Sequence, residues 1–219
     1  MSVAGRSTRG PVLFDSQLIA FTLVAAVLAV TPGVDTMLVL KNAIRAGSGP
    51  GWATTLGILA GTLVHALVSA LGLSIIVARS ETLFHVIKAL GALYLVWLGV
   101  QAIRTAGHRA GTIETGQRRV VIRDAFMEGL VTNLLNPKVA VFYIAFLPQF
   151  ISAQDPVLAR SLLLACIHNG LSLLWLGGLV MLVSRGRRWI DRREVQQWLS
   201  RLSGVILIGL GLRLALESR

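Results

Sequence analysis

Thr31-Pro32-Gly33-Val34-Asp35 and Asn133-Leu134-Leu135-Asn136-Pro137-Lys138 are the two stretches that decide how this chain folds. Each places a proline and polar side chains inside a long apolar segment, the first within residues 17–40 and the second within residues 125–151. Proline removes a helix hydrogen bond, and lipid tolerates the freed backbone groups only where protein or a wet cavity satisfies them. A broken helix at matching places in two halves of a chain is typical of a transporter binding site.

The composition indicates an integral membrane protein. Hydrophobic residues make up 54% of the chain and charged residues 14%, whereas an average soluble domain carries roughly 25% charged residues. The formal net charge of +11 does not point to nucleic acid, because the basic residues cluster between apolar segments, as they do in membrane proteins. We therefore expect contact with membrane lipid and no nucleic-acid partner.

Six apolar segments follow one another and predict an all-α polytopic membrane protein. They are residues 17–40, 52–78, 83–103, 125–151, 162–184 and 202–216. The hydrocarbon core needs about 20 helical residues, which the first five segments supply. The sixth is short and contains Arg213, whose long side chain can reach the interface. We predict six transmembrane helices, with five spans plus an interfacial C-terminal helix as the alternative.

The two halves of the chain share a weak repeat. Each half has, in order, a proline break, a His-x-x-x-Ser pattern and a pair of glycines. The matching positions are Pro32 with Pro137, His65 with His168, and Gly91 and Gly99 with Gly204 and Gly211. A unit of three spans is odd, so its second copy must cross the membrane in the opposite sense. We therefore predict an inverted 3+3 repeat in which helices 1 and 4 are broken at proline.

This repeat defines the predicted domain organisation and topology. Residues 1–219 form a single transporter domain, with repeat 1 at about 14–104, a basic loop at about 105–124 and repeat 2 at about 125–219. With six spans, thirteen Lys and Arg residues fall on one side of the membrane and seven on the other. The richer side, which includes the basic loop, should be cytoplasmic, so both termini are expected in the periplasm.

Asp35 is the first candidate site residue, because a carboxylate within a membrane segment is costly and is a functional hypothesis by default. Pro32 frees carbonyls upstream, and Gly33 permits a non-helical turn after Thr31. A new half-helix would begin near Asp35, and its unpaired N–H groups suit an anionic group. The alternative is that Asp35 serves only as the cap of that half-helix.

With Thr31, Pro32 and Gly33 beside Asp35, the first break supplies four candidate substrate-binding residues. The second break supplies four more: Asn133, Asn136, Pro137 and Lys138. We expect the asparagine pair to bond the carbonyls that Pro137 leaves free. Lys138 is too deep in its segment to reach an interface easily. It should therefore neutralise Asp35 or receive the carboxylate of a substrate.

His65 and His168 lie in the middle of apolar segments and could carry protons, as could Asp35. They could equally make plain hydrogen bonds between helices. With Asp35 they could also bind a divalent metal or small ion as exported cargo, which is the alternative function. No resident metal or other cofactor is expected. A membrane redox enzyme is excluded because it would need two cysteines, and Cys166 is the only one in the chain.

Five sequence motifs together resemble the LysE/RhtB family of amino-acid exporters. They are Pro32-Gly33-x-Asp35, Lys41-x-x-x-Arg45-x-Gly47, Gly91-Ala92-x-Tyr94-Leu95-x-x-Leu98-Gly99, Gly129-Leu130-x-Thr132-Asn133-x-Leu135-Asn136-Pro137-Lys138 and Phe146-Leu147-Pro148-Gln149-Phe150. The resemblance covers nearly the whole chain. One position departs from it, since Val34 stands where the family usually has a second proline.

The resemblance implies a secondary transporter of the bacterial inner membrane, not an enzyme, that exports amino acids or related small zwitterionic metabolites in exchange for protons. In this hypothesis the protein works by alternating access, and the substrate binds near mid-membrane between the two breaks. Its ammonium group would face Asp35 or helix carbonyls, and its carboxylate would face Lys138 or a half-helix N-terminus. A monomer and a homo-oligomer both remain open.

Overall fold

The computed structural model describes residues 16–79, 81–105, 121–152, 154–185 and 193–216, and every regular element within these ranges is helical. The α-helices are α1 (Ser16–Val30), α2 (Val34–Ala46), α3 (Ser48–Arg79), α4 (Glu81–Thr105), α5 (Ile122–Leu134), α6 (Pro137–Val141), α7 (Val157–Arg185) and α8 (Arg193–Leu216). A π-helical turn, Phe142–Phe146, and a 3₁₀ turn, Leu147–Phe150, follow α6. The fold is therefore all-helical in the described part of the chain.

Helical structure is interrupted at both prolines. The axes of α1 and α2 differ by 50° across the gap that contains Pro32, and those of α5 and the segment beginning at Pro137 differ by 51°. Proline has no N–H to donate, and it disfavours helical geometry in the residue before it. Pro137 is the first residue of α6, the helical position that suits proline best, whereas α2 begins at Val34, two residues after Pro32.

Two helices, α3 over Ser48–Gly72 and α7, are each long and apolar enough to cross a membrane, and the number rises to four if each bent pair counts as one span. Large apolar side chains on these and other helices are exposed, among them Leu71, Leu93 and Leu174. Such a surface suits contact with lipid tails, which are as apolar as leucine. These features agree with a helical membrane protein.

Helix α3 is central and packs against α2, α5 and α7, while α4 packs mainly against α8. Glycines allow the closest approaches. A methyl group at Gly57 would overlap the main chain at Phe126, and one at Gly129 would overlap the main chain at Thr54. Small residues let helix backbones approach in this way where no hydrophobic effect drives association. The α3–α5 contact brings the first half of the chain against the helix that precedes Pro137.

Several predicted features lie outside the described residues. Residues 106–120 contain most of the predicted basic loop, and residues 1–15 and 217–219 contain the two termini. The orientation and the six-span count therefore stay predictions.

Candidate functional site at the two helix breaks

Lys138, from the second break, lies against the first break. Its Nζ donates hydrogen bonds to the main-chain oxygens of Leu28, at 3.3 Å, and Thr31, at 3.1 Å. The Leu28 carbonyl is the one that Pro32 leaves without a partner, because an α-helical N–H bonds the carbonyl four residues back. A cation at a helix C-terminus is also favoured by the helix dipole. Lys138 therefore supplies hydrogen-bond donors to main-chain carbonyls at the C-terminal end of α1.

Gly33 makes room for this contact. A Cβ atom at position 33 would lie 3.3 Å from Lys138 Nζ, which is tighter than ordinary van der Waals contact. The main chain of Gly33 is extended, with φ −160° and ψ −169°, so the glycine is used here for space and not for an unusual conformation.

His65 bonds the carbonyl that Pro137 leaves free at the second break, as Lys138 bonds the carbonyl that Pro32 leaves free at the first. Its Nε2 lies 3.1 Å from the main-chain oxygen of Asn133, the carbonyl four residues before Pro137. A carbonyl can only accept, so Nε2 carries the hydrogen in this contact. The Asn136 N–H donates to the same oxygen at 3.0 Å, so the carbonyl has two donors. A side chain from the first half of the chain thus bonds the carbonyl that Pro137 leaves free in the second half.

Asp35 and Asn133 join the two breaks directly. Asn133 Nδ2 donates to Asp35 Oδ2 at 2.8 Å, and Asp35 lies in the first turn of α2, where a carboxylate is favoured by the helix dipole. Within the described residues, Asp35 Oδ1 is buried and has no hydrogen-bond partner. Lys138 interacts electrostatically with Asp35, but its hydrogen bonds go to the main chain of the first break.

The asparagine pair differs from expectation. Asn136 Oδ1 accepts from the Lys138 N–H at 3.0 Å and caps the N-terminus of α6, while the Asn133 side chain bonds Asp35. Neither side chain bonds a carbonyl freed by Pro137. The reason is local, because the residue before a proline is extended and its side chain then points at the N–H groups of the next helix.

A cavity of about 270 Å3 lies between the breaks and α4. It is lined by residues of the first break, residues of the second break and a wall contributed by α4 and α8. These are Thr31, Pro32, Gly33 and Val34; Asn136, Pro137 and Lys138; and Tyr94, Trp97, Leu98, Gln101, Ala102 and Leu207. The volume is near the lower end of the range for small-molecule sites. Six of the eight predicted binding residues line this cavity, whereas Asp35 and Asn133 do not.

The α4 wall was missed by sequence reasoning. The sequence places Tyr94 in a family motif and suggests no more than a packing role for Trp97. In the structure their rings stand 5.5 Å apart at the cavity. The spacing of Tyr94, Trp97, Leu98 and Gln101 is three, four and seven residues, which puts them on one helix face. That periodicity was the available signal, although it does not tell a cavity wall from a lipid-facing stripe.

His168 is buried and belongs to a different contact. Its Nδ1 lies 3.0 Å from the hydroxyl of Tyr143, which stands on the π-helical turn. Within the described residues, no group of three or more His, Cys, Asp or Glu side chains could hold a metal ion. The structure therefore does not assemble His65, His168 and Asp35 into the alternative metal-cargo site.

A second polar cluster lies along α2, away from the cavity. Glu128 accepts from Lys41 Nζ at 2.7 Å and from Asn42 Nδ2 at 3.0 Å, and Asn42 also donates to Thr54 Oγ1. These contacts tie α2 to α3 and α5.

Comparison with known proteins agrees with this architecture. Residues 26–218 match the model of the LysE type translocator family. The chain is 33% identical to the uncharacterized membrane protein YrhP of Bacillus subtilis, with 91% of this chain and 99% of that protein covered. It is 30% identical to a homoserine/homoserine lactone efflux protein of Salmonella typhi, with 90% and 94% covered. It is 29% identical to a leucine efflux protein of Salmonella choleraesuis, with 88% and 92% covered.

No solved structure matches the chain. The family match spans most of the sequence, and the named relatives are covered almost end to end. The chain belongs to the LysE type translocator family, and it is a membrane transporter and not an enzyme.

Proposed function

We propose that this protein exports amino acids or related small zwitterionic metabolites across the bacterial inner membrane, and that the cavity between the two breaks is the substrate site. The observation that carries the proposal is the lining of this cavity, to which both breaks contribute. Lys138 is the only charged side chain among the described residues that line it. Relatives named for efflux of homoserine, homoserine lactone and leucine support the same substrate class.

The charges of the cavity suggest how a zwitterion would bind. An ammonium group has three donors, and Lys138 uses two of them on Leu28 and Thr31, which leaves one for a substrate carboxylate. Val34 begins α2 at the cavity wall, so the unpaired N–H groups of that helix N-terminus lie near the same carboxylate. The substrate ammonium is assigned to main-chain carbonyls at the breaks, and the α4 wall receives the side chain.

Contacts between α4 and α8 support the inverted 3+3 repeat and its six spans. A Cβ at Gly99 would meet the main chain of Gly204 and one at Gly204 would meet that of Gly99, while a Cβ at Gly211 would meet the main chain of Ala92. Exchanging the two repeats converts the first contact approximately into the second. Two such halves in one domain, 1–219, could rock against each other and expose the cavity to each side in turn.

Protons are the proposed coupling ion, with Asp35, His65 and His168 as candidate carriers and with both termini in the periplasm. All three side chains lie outside the cavity lining, so they would act by linking the two halves and not by touching substrate. A divalent-metal cargo has no comparable support, because the described residues contain no cluster of ligands for it.

The test is transport by purified protein in proteoliposomes loaded with labelled leucine or homoserine, with and without an imposed pH gradient. Wild-type protein should release both compounds, and Lys138→Met should release neither above the rate of empty liposomes. Lys41→Met is the matched control, because it removes a lysine that lies outside the cavity. Full transport by Lys138→Met, or equal loss in both variants, would rule out the assigned site.

A further inference from the structure

We propose that Tyr143 is a coupling residue: its hydroxyl and the His168 imidazole hold the proton that makes transport respond to the pH gradient. This inference rests on the proposed function, because it concerns the driving force of the same transport cycle. Tyr143 carries no role in the substrate site, and its own sequence context suggests only a packing aromatic.

Both side chains are fully enclosed, with Tyr143 exposed to 0% and His168 to 4%. Their polar atoms, Tyr143 Oη and His168 Nδ1, lie 3.0 Å apart. Burying a hydroxyl or an imidazole nitrogen without a partner costs free energy, so this hydrogen bond is expected to persist. The pair is thus a preformed proton donor and acceptor inside the membrane domain.

Stacked rings connect the Tyr143–His168 pair to the second break through His65. The Tyr143 ring is stacked with His65, at 6.1 Å between centroids and 19° between planes, and with His168, at 5.9 Å and 28°. His65 in turn bonds the Asn133 carbonyl at the break. The two histidines occupy matching positions in the two repeats, so Tyr143 lies between symmetry-related partners and touches both halves of the domain.

The backbone that carries Tyr143 has an alternative geometry available to it. Phe142–Phe146 is a π-helical turn, and the Ser69 hydroxyl donates to the Tyr143 main-chain oxygen. π-helical turns are rare in proteins overall, but those that occur are often found at functional sites. A return to α-helical pairing would change the register by one residue and would rotate the Tyr143 ring relative to His168. Movement of the break could therefore make or break the hydroxyl–imidazole contact.

The groups that face this pair are mostly neutral. Helix α3 presents His65 and Ser69, α6 presents Lys138, and α7 presents Cys166. Residues 16–30 of α1 contain no ionisable side chain, and α4 approaches the turn through Gly91. Among these groups Lys138 carries a fixed charge, and it interacts electrostatically with His168.

The proposed step moves one proton and no electrons. With His168 neutral at Nδ1, the Tyr143 O–H donates to that nitrogen. When His168 takes up a proton at Nδ1, the imidazolium N–H becomes the donor and the Tyr143 oxygen accepts. The proton enters from one aqueous side and leaves to the other as the two halves rock. Tyr143→Phe keeps the ring and the stack but removes the acceptor for the protonated state.

The experiment measures amino-acid transport separately from its coupling to the pH gradient. Purified variants in proteoliposomes are assayed for exchange of labelled leucine against unlabelled leucine at equal pH, and for accumulation driven by a pH gradient. Tyr143→Phe should retain exchange but lose gradient-driven accumulation, and the double variant with His168→Gln should lose no more than either single variant. Thr22→Val removes a hydroxyl that bonds only its own helix at Leu18, and it should change neither reading.

Three results would overturn the inference. The first is normal gradient-driven accumulation by Tyr143→Phe. The second is an equal loss of exchange and accumulation in that variant, since the hydroxyl would then be structural. The third is wild-type protein that exchanges leucine but accumulates none in response to the pH gradient. That result would still be consistent with the proposed amino-acid export. Wild-type protein that exchanges neither leucine nor homoserine would instead refute the proposed function, and the coupling residue with it.

Discussion

At both breaks a proline inside an apolar segment leaves a helix carbonyl free, but the breaks differ in the cap of the next helix and in the side chain that bonds that carbonyl. At the first, α2 begins without a side-chain cap, and the carbonyl freed by Pro32 is bonded by the Lys138 cation. At the second, Asn136 caps α6, and the carbonyl freed by Pro137 is bonded by His65. Each break thus takes its side-chain donor from the opposite half of the chain, so neither half supplies this donor to its own break.

The half-helices that leave the breaks also differ. Helix α2 continues for 13 regular residues, whereas α6 has five before the backbone changes to π-helical and then 3₁₀ geometry. The first break therefore depends on a charge and leads into a regular helix. The second depends on hydrogen bonds of the His65 and Asn136 side chains and leads into a segment whose pairing changes from α-helical to π-helical and then 3₁₀.

The largest expected effect comes from removing the charge at the first break. Lys138→Met leaves the Leu28 carbonyl without a partner and should destabilise the protein by about 2–3 kcal/mol, since hydrogen bonds to charged groups are the stronger ones. Thermal unfolding in detergent measures this loss. Lys138→Arg, which keeps the charge, should recover part of the stability. An unchanged unfolding temperature in Lys138→Met would show that the first break does not depend on this cation.

The cap of the second break should matter less. Asn136→Ala removes the acceptor for the Lys138 N–H and is expected to cost about 1 kcal/mol, as for other N-cap replacements. Asn136→Asp preserves the acceptor and serves as the comparison in the same unfolding assay. If the two variants unfold alike, the cap geometry at this break contributes little.

The histidine at the second break should have a smaller effect again. His65→Phe retains a ring beside Tyr143 but loses the bond to the Asn133 carbonyl, which still accepts from the Asn136 N–H. The expected loss is at most about 1 kcal/mol, the value of a typical hydrogen bond, because the carbonyl keeps its second donor. A cost as large as that of Lys138→Met would contradict the view that the first break depends more strongly on its side-chain donor than the second does.

The smallest effect should come from restoring the proline usual in the family. Val34 is the first helical residue of α2 and is 61% exposed, and the extended Gly33 before it already has a conformation compatible with a following proline. Val34→Pro should therefore stabilise the protein by about 0.5 kcal/mol through the unfolded state. Thermal unfolding again provides the measurement, and clear destabilisation would mean that the Val34 N–H has a partner.

The sequence alone determined those features that depend on neighbouring residues. Apolar length indicates a helical membrane protein, and each proline predicts a local loss of helix pairing, because both are short-range effects. For the same reason, six of the eight binding residues predicted from the two motifs line the cavity. The family follows from the motifs and is shown by the match over residues 26–218.

Only the tertiary structure decided which side chain satisfies which freed carbonyl. Lys138 and Leu28 are 110 residues apart, and His65 and Asn133 are 68 apart, so no local rule could pair them. The asparagines illustrate the limit: their position beside Pro137 suggested bonds to its freed carbonyls, but the extended residue 136 points its side chain forward instead. A proline dictates where a bond is missing, whereas the folding of the two halves together dictates which distant group replaces it.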